Sequence, residues 1–176
     1  MKSVLITGVS YLHYQKLLEV HPNIEIDSMS GHSLGEYTAL VCASAIDICD
    51  ALKLVRSRGE LMEKAENGSM SAILGMDTQD VINICKNITS ESAGVVNAAN
   101  LNSPLQTVIS GNTAEIELAE ERCKDHGAKR AIRLNVSVAS HSELMREPAN
   151  LFCSILEEVD ICSPQFKIYQ NADAIA

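Results

Sequence analysis

The sequence predicts an α/β fold in which helices pack against a parallel sheet, and three observations support this prediction. Residues 24–30, which could supply a short buried strand, lead into Gly31-His32-Ser33-Leu34-Gly35, which has the spacing of a sharp strand-to-helix turn. Apolar residues recur at helical spacing on either side of this turn. Between residues 70 and 134, strand and helix patterns follow one another in the order β-α-β-β-α-β.

Composition narrows the class of protein. The 176 residues are enough for one domain, or one domain with an insertion, and 46% of them are hydrophobic against 21% charged, as in globular proteins. A net charge of −9 and an aromatic content of 3% argue against a nucleic-acid partner. No apolar run is long enough to span a membrane, so we expect no membrane partner either.

The cysteines predict neither a metal site nor a disulfide framework. No two of them form a Cys-x-x-Cys pair, and no histidine lies at metal-ligand spacing from such a pair. We expect them to be reduced core residues of a cytoplasmic protein. They are Cys42, Cys49, Cys85, Cys123, Cys153 and Cys162.

The elements before residue 67 follow from periodicity and capping. Residues 3–19 form an amphipathic helical pattern that Gly8 weakens, and residues 24–30 form a short strand. Residues 34–43 are predicted to be the helix that follows the glycine turn. Asp47 is predicted to cap a longer helix that ends near residue 64.

The middle of the chain predicts a separate subdomain. Strands are expected at 70–74, 95–98, 106–110 and 130–134, with a polar loop at 99–105. Helices are expected at 78–88, opened by Thr78, and at 114–126, ended by Gly127. We therefore predict a ferredoxin-like subdomain at residues 67–135, inserted into an α/β core of residues 1–66 and 136–176. That core resumes with a helix at 143–159, despite Pro148, and a strand at 166–170.

Ser33 is the candidate nucleophile. A serine on a sharp strand-to-helix turn presents its hydroxyl above the sheet, and the arrangement predicts a hydrolase-like core. The N–H of Leu34, at the start of a helix, would point towards a developing oxyanion. The spacing also occurs by chance, so the other residues have to decide.

Arg58 interrupts an otherwise apolar helical stripe. The stripe comprises Ala51, Leu54, Arg58, Leu61 and Ala65. Two interpretations remain open. Arg58 either extends its charge to the solvent edge, or faces a cleft where its guanidinium binds a carboxylate.

A serine nucleophile requires a base, which is usually a histidine. His13 and His21 lie near the first helix, and His126 ends an acidic helix, where a cation suits the helix dipole. His32 adjoins Ser33, but on such a turn its side chain should point away from the hydroxyl. By elimination, His141 is favoured, in the loop before the helix at 143–159.

Several ordered motifs resemble the malonyl-CoA:acyl carrier protein transacylase family. The nucleophile turn continues as Glu36-Tyr37, with Ala39-Leu40 after it, as in that family. The other matching motifs are Arg58-Gly59-Glu60-Leu61-Met62, Asn100-Leu101-Asn102-Ser103-Pro104, Ser110-Gly111, Ser140-His141-Ser142-Glu143-Leu144-Met145 and Gln170-Asn171-Ala172-Asp173-Ala174.

The resemblance implies roles for individual residues. Ser33 would carry the malonyl group as an ester, and His141 would serve as the base towards Ser33 and towards the phosphopantetheine thiol of acyl carrier protein. Arg58 would bind the malonyl carboxylate, and Leu34 would supply an oxyanion donor. His32, Asn100 and Asn102 are expected at the substrate site, although 100–103 is equally plausible as a structural turn. The partners would be malonyl-CoA and acyl carrier protein, with no metal or other cofactor.

The chain also departs from the family pattern. Family members have an N-terminal strand and a turn whose glutamine is the second oxyanion donor, and residues 1–30 do not match it. They also continue beyond the histidine region. The chain is therefore expected to be the central part of the domain and to be weakly active or inactive alone. The residues before His141, Val138-Ala139-Ser140, lie between malonyl- and methylmalonyl-selective patterns, and we expect malonyl.

Two other functions are compatible with the sequence. A serine esterase of the α/β-hydrolase class shares the glycine-x-serine-x-glycine spacing, but would not explain Arg58 or the inserted unit. The second alternative is a remnant without catalytic activity that binds a carrier protein or a complementary chain. The acidic balance opposes that idea, because carrier proteins are commonly acidic.

Overall fold

A computed structural model describes residues 2–65, 67–173 and 175 of the chain. It has a helix α1 (Lys2–Val20), then β1 (Ser28–Ser30), α2 (Gly35–Cys42), α3 (Ile48–Glu63), β2 (Ser69–Leu74), α4 (Thr78–Glu91), β3 (Val96–Ser103), β4 (Gln106–Gly111), α5 (Thr113–Asp125), β5 (Arg130–Arg133), a 3₁₀ helix (Glu143–Met145), α6 (Arg146–Leu156) and β6 (Lys167–Tyr169). Glu66, where the first core segment is predicted to end, and Ala174 of the last motif lie outside the described residues.

The chain divides into two compact units. The first unit comprises Met1–Leu61 and Leu151–Ala176, and the second comprises Met62–Asn150. The helices and strands of both units make an α/β fold, as the sequence predicts.

The first unit contains the parallel strand pair. β1 and β6 run in the same direction, with Ser28 opposite Lys167 and Ser30 opposite Tyr169. Apolar side chains of α2 and α3 form a buried cluster around Val41 and Leu54. The chain therefore leaves β1, turns at Ser33 and enters a helix that is anchored by its apolar side chains.

Helix α1 forms where the sequence predicts it, but it is not amphipathic. Its one buried residue is Thr7. Leu5, Ile6, Val9 and Leu12 are all exposed. Apolar residues therefore lie on the exposed side of the helix as well as on its half-buried side, which includes Val4, Tyr11 and Leu18. Within the described residues, no helix has the length and apolar character needed to cross a membrane.

The second unit is an antiparallel sheet with helices on one face. The sheet has the strand order β3-β4-β2-β5. Helices α4 and α5 cover the face that carries Ile73, Val96 and Ile109, and the three side chains belong to the unit's main buried cluster. The alternation of strand side chains places Met70 and Ala72 of β2 in a second, smaller cluster on the other face.

Helix boundaries confirm most of the capping predictions. Asp47 Oδ1 accepts a hydrogen bond from the N–H of Cys49 at 2.7 Å, one residue into α3. Gly127 follows α5 with a φ of +99°, which suits a glycine that ends a helix. Helix α4 begins at Thr78, as predicted. Its N-cap is Asp77, whose Oδ1 accepts a hydrogen bond from the N–H of Gln79 at 2.8 Å.

The polar loop predicted at 99–105 is largely a strand. β3 continues to Ser103, which lies opposite Gln106 of β4, so that only Pro104 and Leu105 form the turn. The pairing is irregular between Ala98 and Asn100 and again between Leu101 and Ser103. Pairing with β4 outweighs the low strand propensity of asparagine and serine, and the irregularities accommodate them.

The helix predicted at 143–159 starts later and ends earlier than expected. A 3₁₀ helix, Glu143–Met145, precedes α6, which ends at Leu156. Pro148 lies in the first turn of α6, where its missing N–H removes no helical hydrogen bond.

Candidate active site

Ser33 occupies a strained turn between β1 and α2. Its φ is +51°, a left-handed conformation that is unfavourable for residues other than glycine. A Cβ on Gly31 would lie 2.0 Å from the carbonyl carbon of Gly35, so the close approach of these two backbone segments requires glycine at position 31. A Cβ on Gly35 would meet open space. Thus only the first of the two flanking glycines is required by contact.

Arg58 contacts the hydroxyl of Ser33. It is half-buried in α3, and its Nη2 donates a hydrogen bond to Ser33 Oγ at 3.0 Å. Its charge also reaches Tyr37. Burial raises the pKa of the Tyr37 phenol, the positive charge of Arg58 opposes this rise, and the negative charge of Glu36 adds to it. The charged member of the apolar stripe therefore lies at the serine.

Asn171 holds the same turn from the other strand, and sequence reasoning assigned it no role. Its Oδ1 accepts from the N–H of Ser33 at 2.7 Å, and its Nδ2 donates to the carbonyl of Gly31 at 2.6 Å. It lies two residues after β6, which is parallel to β1. The only signal in the sequence is that Asn171 belongs to one of the family-like motifs.

Leu34 and His32 flank the serine. Leu34 has helical torsion angles (φ −57°, ψ −33°) and immediately precedes α2, so its N–H belongs to the N-terminal end of that helix. His32 is exposed, and its carbonyl accepts from the N–H of Gly35 at 2.9 Å. That backbone bond closes the turn on the side that leads into α2.

In the second unit, His141 lies in the loop between β5 and the 3₁₀ helix. It is exposed and has a φ of +62°, so it shares the left-handed conformation of Ser33. The neighbouring Ser142 is buried. Its hydroxyl donates to the carbonyl of Ala139 at 2.7 Å and accepts from the N–H of Leu144 at 3.3 Å. These local bonds define the backbone on both sides of His141.

Two further contacts anchor this loop, and sequence reasoning did not identify either. The N–H of Gly68 donates to the carbonyl of Ser137 at 3.1 Å, and a Cβ on Gly68 would lie 2.5 Å from the Cβ of Ala139. Asn97 Oδ1 accepts from the N–H of Glu143 at 3.3 Å. The polar side chain of Asn97 could have been noticed as a strand-end asparagine, but the sequence does not indicate which N–H it reaches.

The structure places the other two predicted substrate-site residues on β3. Asn100 is half-buried and lies opposite Val108, whereas Asn102 is exposed in the irregular part of the strand. Both therefore belong to a strand rather than to the predicted loop. Among the residues that the structure describes, no three His, Cys, Asp or Glu side chains are grouped as metal ligands would be.

Known proteins resemble the chain along most of its length. A model of the acyl transferase domain matches residues 24–173. The malonyl CoA-acyl carrier protein transacylase of Haemophilus influenzae is 45% identical over 166 residues, which cover 93% of this chain and 53% of that protein. The corresponding protein of Bacillus subtilis is 42% identical over 175 residues, covering 98% of this chain and 54% of its own length.

Solved structures give the same result. The malonyl CoA-acyl carrier protein transacylase of Coxiella burnetii superposes with a TM-score of 0.93 at 36% identity, over 99% of this chain and 55% of that one. The chain spans about half the length of the curated relatives it matches. With the glycine turn at Ser33 and the family model covering residues 24–173, the chain belongs to the acyl transferase domain family.

Proposed function

We propose that the protein transfers a malonyl group from malonyl-CoA to the phosphopantetheine thiol of acyl carrier protein through an ester on Ser33. The observation that carries this proposal is the 3.0 Å hydrogen bond from Arg58 Nη2 to Ser33 Oγ. A malonyl thioester has its free carboxylate one methylene away from the reacting carbonyl. A guanidinium beside the nucleophile therefore suits the malonyl group better than it suits an uncharged acyl group such as acetyl.

The first half-reaction forms the malonyl ester. Ser33 Oγ attacks the thioester carbonyl while His141 accepts the serine proton. The Oγ–C bond forms, the C–S bond breaks, and the proton passes from His141 to the departing CoA sulfur. The N–H of Leu34 stabilises the oxyanion, because the start of α2 places backbone donors next to Ser33.

The second half-reaction transfers the acyl group to the carrier. His141 takes the proton of the phosphopantetheine thiol, the thiolate attacks the ester, and the Ser33 oxygen leaves with that proton. The reaction is ping-pong. Each step uses side chains, backbone donors and the two substrates, so the proposal includes no metal or other cofactor.

Printed names of similar proteins support both partners. The relatives of Haemophilus influenzae and Bacillus subtilis are named malonyl CoA-acyl carrier protein transacylases. One matching structure, at 36% identity and a TM-score of 0.91, is a type II PKS acyl-carrier protein in complex with its malonyl-transacylase. We propose the stand-alone malonyl reaction of fatty-acid synthesis, with malonyl preferred over methylmalonyl.

His32, Asn100 and Asn102 are the proposed additional substrate-binding residues. His32 adjoins the nucleophile and is exposed. The two asparagines present amide groups on β3, which can hydrogen-bond to the polar pantetheine arm or to the acyl group. Their contribution is expected to be smaller than that of Arg58, because neutral hydrogen bonds are weaker than charge-assisted ones.

We also propose that residues 67–135 form a ferredoxin-like subdomain inserted into a hydrolase-like core of residues 1–66 and 136–176. The supporting observation is the element order β2-α4-β3-β4-α5-β5 with the antiparallel strand order β3-β4-β2-β5. The helices of this unit share one face of the sheet, which is the arrangement that such a subdomain requires.

A cytoplasmic location is part of the proposal. Cys42, Cys85 and Cys123 are buried thiols, and burial raises their pKa to about 11, about 12 and about 11. They therefore behave as small apolar core residues at neutral pH. The other three cysteines are exposed, so the expectation of core residues is wrong for Cys49, Cys153 and Cys162. Such use of reduced cysteines is typical of proteins of the cytosol.

The decisive experiment compares two arginines of α3. Arg58→Ala removes the guanidinium at Ser33, and Arg56→Ala removes an exposed guanidinium that pairs with Glu60 on the same helix. We expect Arg58→Ala to lower kcat/KM for malonyl-CoA about 10- to 150-fold, the equivalent of ~1.5–3 kcal/mol for a charged hydrogen bond. Turnover of acetyl-CoA should be unchanged or improved. Arg56→Ala should behave like the native protein.

Other outcomes would exclude the proposal. If Arg58→Ala lowers kcat/KM equally for malonyl-CoA and acetyl-CoA, Arg58 acts only through Ser33. If the protein hydrolyses simple esters at a rate that Arg58→Ala does not change, it is a serine esterase. Carrier-protein binding without any acylation of Ser33 would identify a protein without catalytic activity. Ser33→Ala should abolish acylation, whereas Ser44→Ala, at the other left-handed serine, should not.

A further inference from the structure

Asn171 makes contacts that the proposed reaction does not use. Its side-chain amide donates to the carbonyl of Gly31 and accepts from the N–H of Ser33, at 2.6 and 2.7 Å. One amide group therefore bridges the backbone on either side of His32. Asn171 is itself exposed, so burial does not explain its position.

The two contacts continue the parallel pairing of β1 with β6. Backbone pairing ends with Ser30 opposite Tyr169. In a parallel pair of strands, the N–H of a residue donates to the carbonyl of the residue that precedes the one it faces. Its carbonyl accepts from the N–H of the residue that follows the one it faces. The Asn171 amide makes this same pair of bonds around His32. A side chain thus takes the place of a peptide group at the point where the chain leaves β1.

This replacement acts on the strained residue. A φ of +51° at Ser33 is costly for a residue with a side chain and persists only where its surroundings impose it. Gly31 allows the close approach to Gly35, but a glycine does not itself hold one conformation. The bonds from Asn171 fix the two peptide groups that precede Ser33, and these set the direction of its Cα–Cβ bond.

We propose that Asn171 is a positioning residue, which holds the left-handed backbone at Ser33 so that Oγ and the N–H of Leu34 keep their reactive geometry. The inference depends on the proposed function only for the identity of the acyl group that Ser33 receives. Attack by Ser33 on any electrophile depends on the same geometry, so the role can be tested without malonyl-CoA.

The test uses the full chain with Asn171→Ala, Asn171→Asp and Gln170→Ala. Asn171→Ala removes both bonds, whereas Asn171→Asp keeps an acceptor for the N–H of Ser33 and loses the donor to Gly31. Gln170→Ala removes an exposed amide side chain from the adjacent position and serves as the matched control. Two rates are measured: labelling of Ser33 by a fluorophosphonate, and malonyl transfer.

We expect Asn171→Ala to label Ser33 about tenfold more slowly and to lower kcat for malonyl transfer by a similar factor, with an unchanged KM for malonyl-CoA. Asn171→Asp should fall between this variant and the native chain. Gln170→Ala should stay within about twofold of the native rates. The inference would be overturned if Ser33 is labelled in Asn171→Ala at the native rate, or if only the KM for malonyl-CoA changes. It would also be overturned if Gln170→Ala slows labelling and transfer as much as Asn171→Ala does.

Amide hydrogen exchange provides a readout that requires no reaction. The N–H of Ser33 should exchange faster in Asn171→Ala, because its acceptor is removed. The N–H of Ser44, which donates to Val41 at 3.0 Å and belongs to the other left-handed serine, should not change. Unchanged exchange at Ser33 would overturn the inference. If Ser44 also loses protection, Asn171→Asp decides: because it keeps the acceptor, its Ser33 N–H should exchange more slowly than in Asn171→Ala, and equal exchange in the two variants would overturn the inference.

The proposed function can fail separately. If the native chain is labelled at Ser33 and is acylated by acetyl-CoA but not by malonyl-CoA, the malonyl reaction is excluded, and the labelling rates of the Asn171 variants still decide the positioning role. If malonyl transfer is normal and Asn171→Ala is as fast as the native chain, only the positioning role is excluded.

Discussion

The two units of the molecule are stabilised by different kinds of interaction. In the second unit, α4 and α5 bury one face of a sheet, and a single large cluster forms around Ile73 and Ile109. In the first unit the buried clusters are smaller, around Leu54 and around Ala43, and the turn at Ser33 is held by hydrogen bonds.

This difference separates stability from geometry. Apolar burial is strong but has no preferred direction, so it stabilises a fold without orienting one atom. Hydrogen bonds are individually weak but directional. The strained backbone at Ser33 therefore depends on a few specific bonds. Substitutions in the second unit should mainly change stability, whereas substitutions at the turn should mainly change reactivity.

The largest expected effect is the loss of a core side chain from the second unit. Ile109 is fully buried between the sheet and its helices. Ile109→Ala removes apolar contacts and leaves a cavity, so the free energy of unfolding should fall by about 2–5 kcal/mol. Urea unfolding followed by circular dichroism measures it.

The exposed apolar residues of α1 provide the contrast. Leu12 is 65% exposed, so Leu12→Ala should change the free energy of unfolding by less than about 0.5 kcal/mol. A loss with Leu12→Ala as large as that with Ile109→Ala would show that Leu12 is buried in solution, and the contrast between the two units would fail.

The next largest effect is expected from a substitution that displaces the turn at Ser33 and leaves the buried clusters intact. Gly31→Ala would place a Cβ 2.0 Å from a backbone carbon, so the turn must shift. Because displacements of about 1 Å cost about 10²-fold in rate, labelling of Ser33 should fall by about that factor. Gly35→Ala, whose Cβ meets open space at the first residue of α2, is the control and should label normally. Equal losses in both variants would contradict the contact argument.

The smallest effect is electrostatic and depends on pH. In the second unit, Arg133 donates to both carboxylate oxygens of Glu120, at 2.8 and 3.1 Å. Burial raises the pKa of Glu120, but hydrogen bonds and the charge of Arg133 outweigh it, so the pKa lies below 4.5. Because the pair is partly exposed to solvent, Glu120→Gln should destabilise by only about 0.5–1 kcal/mol at pH 7.

The sign of the pH dependence follows from that lowered pKa. The ionised carboxylate stabilises the fold above the unfolded-state value near 4.5, and this contribution disappears as the pH falls through the folded-state pKa. Unfolding curves of the native chain and Glu120→Gln should therefore converge at acid pH. Glu19→Gln, at the exposed pair with Lys16, should have little effect at any pH. A difference that persists at low pH would exclude the ion pair as its cause.

Local sequence features predicted the elements because their causes are local. The Asp47 cap, the Gly127 stop and the periodicity of α3 each depend on residues within a few positions of one another. The strand continuing through Asn100 was missed, because pairing with β4 outweighs the propensity of its residues. The spread of apolar residues around α1 was mistaken for a stripe.

The sequence alone determined that Ser33 lies on a strand-to-helix turn and that Arg58 interrupts an apolar stripe. Only the tertiary structure decided what they contact. Arg58 reaches the Ser33 hydroxyl across 25 positions, and Asn171 reaches the Ser33 N–H across 138. Such bonds depend on how α3 packs and on the register of β1 with β6. A shift of one residue in that register would move Asn171 away from the turn, and no pattern within a single segment specifies it.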